Sequence, residues 1–321
     1  MTDAVPTIPV IDISPLLTNA PGGREAVAAE IGRACREVGF FYIAGHGFSP
    51  ERLQELFEVN RILFDLPEEE KKKLSIEQSM HNRGFVLLGA EALDPTKGAD
   101  LKEAFNIGAD LAADDPDVLA GKPFRGVNLW PDLPEVKATL LAYHADLRKL
   151  CERLHEAFAV DLGLAPDFFQ SSIDDPIATL RLLHYPAQAA GGAEIGAGTH
   201  TDYGNTTILL QDDVGGLEVR TRQGTWLPAP VIPNTFICNI GDSLMRWTNR
   251  VYVSTPHRVV NRSGRQRRSI AFFFDGNPDA VIECAPTCTG PDRPVRYPPI
   301  TVADYLTERL NATYAFRQKA G

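Results

Sequence analysis

The stretch HTDYGNTTILLQDDVGGLEV (residues 200–219) holds a short apolar run between two turn-like segments. Within it, NTTILLQ predicts a strand, and VGGL (214–217) predicts a hairpin turn before the next run, LEVRT. Similar runs bounded by Gly, Asp or Pro continue through the second half of the chain: ATLRLLHYP, FICNIGD, VYVSTPHRVV and RSIAFFF. RQGTW (222–226) predicts a further hairpin turn. Many short strands with this punctuation favour an antiparallel barrel or sandwich.

Towards the N-terminus the pattern is mixed and mostly helical. TIPVIDIS (7–14) predicts a short strand, and GREAVAAEIGRACREVG (23–39) predicts an amphipathic helix that ends at a glycine. Ser49 followed by Pro50 is a typical helix start, because serine caps the free N–H groups and proline suits the first helical position.

The strongest helical pattern covers residues 136–163 and ends at Gly163. Its apolar face is formed by Leu140, His144, Leu147, Cys151, Leu154 and Phe158. Thr301 is predicted to cap a final helix. We therefore expect a mainly β protein with surrounding helices and a helical N-terminal portion. We place the N-terminal helical and mixed region at 1–120, and the long support helix, the β core and the C-terminal helix at 121–321, in one compact unit.

Composition narrows the class of protein. The 321 residues are 44% hydrophobic and 23% charged, and the net charge is −10, so no overall field attracts nucleic acid or an anionic membrane. The chain has no secretory signal pattern and no apolar run of membrane-spanning length. Its five scattered cysteines suit reduced thiols, and Cys284 and Cys288 lack the second pair of a structural zinc site. We expect a cytoplasmic protein without nucleic-acid or membrane partners.

His200 and Asp202 project to the same side if the chain is extended there. The pair is open to two interpretations: a metal site that lacks its third ligand, or a hydrogen-bonded pair that holds a turn. His144 and His155 are expected at the core edge or surface, and His46 in a structural turn. His257 is the best third ligand, because Pro256 places it at a strand start or edge.

Two imidazoles and one carboxylate on one side of a metal leave three adjacent positions open. That arrangement fits non-haem Fe(II), which must bind a co-substrate and O₂ together. Strand alternation in GRQRRSIAFFF sets Arg267, Ser269, Ala271 and Phe273 on one face. Arg267 and Ser269 can jointly hold a carboxylate, although a solvated basic edge is the other interpretation. That interpretation is the better one for Arg262, Arg265 and Arg268.

Taken together, the chain resembles the isopenicillin N synthase-like family of 2-oxoglutarate/Fe(II)-dependent oxygenases. The segments that carry the resemblance, in the family's order, are PVIDIS, GFFYIAGHG, DLKEAF, LRLLHYP, HTDYGNTTILLQDDVGGLEV, CNIGDSLMRWTN, STPHRVV and RRSIAFFF. The resemblance implies a distorted double-stranded β-helix (jelly-roll) core. It implies iron ligands at His200, Asp202 and His257, and a 2-oxoglutarate carboxylate clamp at Arg267 and Ser269. It also implies that Tyr185 touches the co-substrate, whereas Leu183 stands where many plant members have asparagine.

The implied reaction couples oxidative decarboxylation of 2-oxoglutarate to hydroxylation, desaturation or cyclisation of a small organic molecule. One alternative is an Fe(II) oxidase that uses O₂ without 2-oxoglutarate, and another is a catalytically silent metal-binding sensor. A nucleic-acid demethylase fits poorly, because the chain is acidic. Four residues are hypotheses for substrate contact, with core packing as the competing role: Phe105, Met245, Trp247 and Phe273.

Overall fold

Two β-sheets form the centre of the computed structural model, which describes residues 7–92, 98, 100–187 and 195–313. The strands are β1 (Val10–Asp12), β2 (Phe40–Ala44), β3 (Gly84–Val86), β4 (Glu103–Ile107), β5 (Ala178–Tyr185), β6 (Ile195–His200), β7 (Thr206–Gln211), β8 (Leu217–Arg220), β9 (Trp226–Pro228), β10 (Phe236–Ile240), β11 (His257–Val260), β12 (Arg267–Phe274), β13 (Val281–Ile282) and β14 (Ile300–Thr301). The helices are α1 (Ser14–Leu17), α2 (Gly23–Glu37), α3 (Pro50–Phe64), α4 (Glu68–Lys73), α5 (Pro116–Leu119), α6 (Pro134–Asp161), α7 (Asp242–Trp247) and α8 (Val302–Thr313).

The large sheet has the order β1-β2-β10-β7-β12-β5-β4-β3, and the small sheet has the order β6-β11-β8-β9. Strands β13 and β14 pair separately. All neighbours in the two main sheets are antiparallel except β1 and β2. Side chains from both sheets line one shared cavity. The predicted jelly-roll core with a helical N-terminal portion is therefore confirmed.

The glycines at 215 and 216 carry the chain from one sheet to the other. We predicted a hairpin at VGGL, and this was wrong: β7 pairs with β10 and β12, whereas β8 pairs with β11 and β9. Gly216 has φ of 92°, and a Cβ there would lie 2.8 Å from the Val260 carbonyl oxygen. The hairpin predicted at RQGTW does join β8 to β9.

Alternation along β12 divides its side chains between the cavity and the core. Four of them line the cavity, namely Arg267, Ser269, Ala271 and Phe273. Ile270, Phe272 and Phe274 are at most 1% exposed and belong to the main hydrophobic cluster. Burying whole aromatic side chains in this way is worth about 1.5–3 kcal/mol each. The face assignment made from the sequence is confirmed.

The helices pack on the outer side of the large sheet and follow the predicted signals closely. Ser49 accepts a hydrogen bond from the Arg52 N–H at 3.3 Å at the start of α3. All six residues of the predicted apolar face of α6 are buried. Thr301 caps α8, accepting the Asp304 N–H at 3.1 Å. Among the described residues, no helix combines the length and apolarity required to cross a membrane.

Candidate metal centre and co-substrate cavity

Three side chains converge where the small sheet meets the turn after β6. His200 ends β6, His257 begins β11, and the two residues are direct cross-strand partners. The Nε2 atoms of His200 and His257 lie 3.8 and 3.7 Å from Asp202 Oδ1. The ligand atoms of all three residues lie within 4.8 Å of one another. The structure therefore brings together the three residues that the sequence selected, with His257 at a strand start as Pro256 predicted.

Hydrogen bonds orient both imidazoles so that Nε2 faces the centre. The Nδ1 atom of His200 lies 2.7 Å from the Gly198 carbonyl oxygen, and that of His257 lies 3.2 Å from the Thr255 carbonyl oxygen. A carbonyl can only accept, so each Nδ1 carries the proton and each Nε2 presents a lone pair. Burial and the nearby His257 lower the pKa of His200. His200 is consequently neutral at pH 7, as a metal ligand must be.

The two carboxylate oxygens of Asp202 have different partners. Oδ2 accepts hydrogen bonds from Thr207 Oγ1 at 2.6 Å and from Asn239 Nδ2 at 2.7 Å, whereas Oδ1 faces the imidazoles. Burial opposes ionisation of Asp202, but His257 and His200, followed by Thr207 and Asn239, lower its pKa overall. The carboxylate is therefore ionised and held with one oxygen available. This donor set fits Fe(II) with open coordination positions.

Beside these residues lies a cavity of about 180 Å³ between the two sheets. Arg267 lines it and is completely buried. Its Nε donates to the Gly215 carbonyl at 2.5 Å, and its Nη1 donates to Ser269 Oγ at 3.0 Å. Its Nη2 has no hydrogen-bond partner among the described residues. A buried guanidinium with an unpaired nitrogen fits a carboxylate-bearing ligand, because an unmet charged donor is costly.

Tyr185 and Leu183 complete this end of the cavity. The Arg267 guanidinium carbon lies 4.7 Å from the centroid of the Tyr185 ring, within cation–π range. Tyr185 and Leu183 are the cross-strand partners of Arg267 and Ser269. Leu183 thus presents an apolar side chain to the cavity where an asparagine would add a hydrogen bond.

Sequence reasoning missed the polar residues that surround the predicted ones. Thr207 and Asn239 hold Asp202, and the only signal for Asn239 was a polar residue inside the apolar run FICNIGD. Asn106 and Arg181 line the cavity from β4 and β5. They could have been found by alternation: if Phe105 faces the core, then Asn106 faces the cavity.

Of the four substrate-contact hypotheses, the structure places Phe273 in the cavity lining. Phe105 and Trp247 are instead packed in the core, at 0% and 6% exposure, and Met245 is not among the lining residues. His144 and His155 are also buried, at 8% and 1%, rather than at the surface. His46 has the expected structural role, since it contacts the Asn234 carbonyl and the Phe48 N–H.

Comparison with known proteins agrees with this geometry. Residues 176–276 match the 2OG-Fe(II) oxygenase superfamily, and residues 8–133 match the N-terminal region of the non-haem dioxygenases in morphine synthesis. The chain is 38% identical over 312 residues to a 2-oxoglutarate-Fe(II) type oxidoreductase of Aspergillus fumigatus, covering 95% of this chain and 93% of that protein. The chain belongs to the 2-oxoglutarate/Fe(II)-dependent oxygenases.

Two further relatives match this oxygenase over most of both chains. A homoarginine-6-hydroxylase of Glycine max is 38% identical over 295 residues, covering 86% of this chain and 88% of that protein. The structure of Neurospora crassa T7H in complex with 2-oxoglutarate and thymine superposes with a TM-score of 0.85 at 31% identity, covering 97% of this chain and 98% of that one. The oxygenase therefore uses Fe(II), O₂ and 2-oxoglutarate, as the sequence predicted, rather than acting as an oxidase without 2-oxoglutarate or as a silent sensor.

Proposed function

We propose that His200, Asp202 and His257 are the iron ligands of this oxygenase. The observation that carries the proposal is the convergence of two Nε2 atoms and one carboxylate oxygen, each oriented by a hydrogen bond on its far side. Because their partners hold these groups in place, little reorganisation is needed when the metal binds.

We further propose that Arg267 and Ser269 bind the 5-carboxylate of 2-oxoglutarate. The unpaired Nη2 of Arg267 supplies the charged donor, and the Ser269 hydroxyl supplies a second contact. The Tyr185 ring stabilises the guanidinium through a cation–π contact. When Fe(II) and 2-oxoglutarate are bound, O₂ would be the oxidant: one oxygen atom would go to 2-oxoglutarate, which would become succinate and CO₂, and the other would serve to oxidise a C–H bond of the substrate. The protein would position these reactants in the cavity between the two sheets.

The substrate is proposed to be a small organic molecule. The cavity of about 180 Å³ suits a small molecule, and structural relatives bind thymine and 5-formyluracil. The acidic net charge opposes nucleic-acid and membrane partners. We propose that the enzyme works in the cytoplasm, in keeping with its five free cysteines.

The direct test is anaerobic addition of Fe(II) and then 2-oxoglutarate to the apo-protein, monitored for a visible metal-to-ligand charge-transfer band. We expect a band that requires both components. His257→Ala should abolish it, because two protein ligands do not retain the iron. A full-strength band in His257→Ala would exclude this residue as a ligand, and absence of the band in the wild type would contradict chelation of 2-oxoglutarate at the metal.

A further inference from the structure

The cavity wall formed by β4 and the segment after α4 carries unpaired amide groups. Asn106, on β4, is completely buried and lines the cavity, and neither its Nδ2 nor its Oδ1 has a hydrogen-bond partner among the described residues. Asn82 lines the same cavity, and its Oδ1 is likewise buried without a partner. Buried polar atoms in proteins are normally paired with protein, water or ligand, so these three atoms are available to a molecule that enters the cavity.

The position of this wall separates it from the carboxylate clamp. Asn106 is the cross-strand partner of Arg181, which in turn is the partner of Ala271 on β12. Ala271 is two residues beyond Ser269, or about 7 Å along the strand. Asn106 is also two strands from β12. A molecule that contacts Asn106 can therefore occupy the cavity together with a carboxylate held by Arg267 and Ser269.

The charged side chains near this wall compensate one another. Lys102 contacts Glu91 at 3.0 Å and also contacts Asp100, and Arg181 contacts Glu91 at 2.7 Å. All four are between 3% and 7% exposed. Among the described residues, these contacts pair each of the two cations with an anion. The unpaired groups of the wall are the neutral amides of Asn106 and Asn82.

The lining also includes apolar and aromatic side chains, namely Phe124, Ile177, Phe273, Leu306 and Leu310, together with the polar residues Thr179, Tyr203 and Asp275. Phe124 has φ of 62°, a left-handed conformation that is rare for an aromatic residue and costly. Strain of this kind is concentrated at binding sites, and here it occurs beside Asn82, which has φ of 63°.

We propose that the primary substrate is an uncharged molecule that presents an amide-type edge, a carboxamide, lactam or cyclic imide, to Asn106 and Asn82. Its N–H would donate to an asparagine Oδ1, and its carbonyl would accept from Asn106 Nδ2. The flat body would lie against Phe273 and Phe124. This inference rests on the proposed function, since it places the substrate beside the iron and the 2-oxoglutarate.

The chemistry disfavours charged substrates at this wall. A carboxylate could accept from Asn106 Nδ2 but would leave both Oδ1 atoms without a donor, and an ammonium could donate to the Oδ1 atoms but would leave Asn106 Nδ2 without an acceptor. Sites that pair buried donors and acceptors with a ligand reject analogues that lack those groups by large factors. Asp275, Glu91 and Asp202 are the acidic residues of the lining, so the cationic probe is included in the test below.

The test uses the wild-type enzyme loaded with Fe(II) and 2-oxoglutarate without oxygen, and follows the charge-transfer band as ligands are added. Thymine is the cyclic-imide probe, benzamide is the carboxamide probe, benzoate is its anionic counterpart, and homoarginine is the cationic probe. We expect thymine or benzamide to perturb the band and to stimulate succinate release in air, with benzoate and homoarginine inactive. Homoarginine or benzoate active in place of both amides would overturn the inference, as would four inactive probes. A missing band before any probe is added would instead contradict the proposed function.

Variants separate recognition from folding. Asn106→Asp replaces the amide donor by an acceptor of the same shape, and Asn106→Ala removes both groups without adding a charge. Each should weaken the active amide probe by about 10- to 100-fold while leaving the band with 2-oxoglutarate intact. The matched control is Asn128→Asp, because the Asn128 amide is buried but bonded to Gly108, outside the cavity lining. That control should lower Tm without changing probe affinity. Unchanged affinity in Asn106→Ala, or an equal loss in the control, would overturn the assignment.

Discussion

At the scale of single residues, this site depends on atoms that face away from the metal. Asp202 gives one oxygen to the centre and the other to Thr207 and Asn239. Arg267 donates from Nε to the Gly215 carbonyl and from Nη1 to Ser269 Oγ, and its Nη2 remains available to a ligand. Asp202 and Arg267 are therefore each held by at least one group outside the proposed ligand set (Thr207 and Asn239 for Asp202, the Gly215 carbonyl for Arg267), and the side-chain contacts can be tested by substitution.

Thr207→Val should weaken Fe(II) binding by about 10- to 100-fold, because Asp202 loses one of the two donors that orient it. Anaerobic metal titration measures this directly. Thr206→Val is the matched control, since Thr206 is the same residue type on the opposite face of β7. We expect the control to retain iron affinity. Equal iron affinity in Thr207→Val and the wild type would show that Asn239 alone positions the carboxylate.

Arg267→Ala should weaken 2-oxoglutarate binding by about 2–5 kcal/mol, the usual cost of removing one partner of a buried charged pair. Iron binding should be unaffected, because Arg267 does not contact the three metal-site residues. The comparison is with Arg268→Ala, whose side chain lies on the other face of β12 and bonds to Gln266. Calorimetric titration of the apo- and iron-loaded variants gives both affinities. If the two variants bound 2-oxoglutarate equally well, the clamp assignment would be lost.

At the scale of elements, β12 shows what alternation along a strand predicts and what it leaves open. In RRSIAFFF the functional face could be chosen because Arg267 and Ser269, two residues apart, share one face and can jointly hold a carboxylate. In KEAFN, Phe105 was considered for the substrate because the corresponding region of related proteins contacts substrate, and Asn106 was overlooked. The partner strands decide which face is inward, and they are distant in sequence: β4 pairs with β5, more than 70 residues later.

The VGGL segment illustrates the same point for turns. Glycines with positive φ indicate a sharp change of direction, but the direction itself depends on which sheet accepts the next strand. Local turn chemistry predicted the hairpin at RQGTW correctly, because β8 and β9 are neighbours in one sheet. At VGGL the next strand joins the opposite sheet, and nothing in the glycines distinguishes the two outcomes.

Two adjacent phenylalanines on β12 provide a matched test of the two faces of this strand, one towards the cavity and one towards the core. Phe272→Ala should lower the free energy of unfolding by about 3–5 kcal/mol, because its ring is fully buried in the core. Phe273→Ala should cost less stability and should instead change substrate-stimulated succinate release, because that ring lines the cavity. Urea unfolding and a succinate assay measure the two effects. Equal losses of stability would mean that Phe273 also serves the core.

At the scale of the whole molecule, buried histidines connect stability to pH. Burial lowers the pKa of His155 to about 4, with Nδ1 near the Cys151 carbonyl and Nε2 near the Asn205 amide. The unfolded chain, with an ordinary pKa of about 6.5, binds more protons than the native state between these values. His155 therefore contributes stability that is present above about pH 6.5 and is lost as the pH falls towards 4.

His155→Gln should remove about 1 kcal/mol per pH unit from the slope of unfolding free energy in the window from about pH 4.5 to 6. The difference between variant and wild type is the quantity to measure, because Asp275, whose pKa burial raises to about 7, contributes a slope of the opposite sign. Urea unfolding of the metal-free proteins at several pH values supplies it. Parallel slopes in the two proteins would show that His155 is not neutral in the native state at these pH values.

The loop at 214–216, which connects β7 of the large sheet to β8 of the small sheet, also limits where this enzyme can be modified. The loop at 214–216 carries the carbonyl that holds Arg267, and Gly216 sits against the Val260 carbonyl without room for a side chain. An affinity tag or a new chain terminus placed there would loosen the clamp as well as the junction between sheets. The tip of the β8–β9 hairpin is a better insertion point. Gln223 and Gly224 are exposed there, and they belong neither to the cavity lining nor to the main hydrophobic cluster.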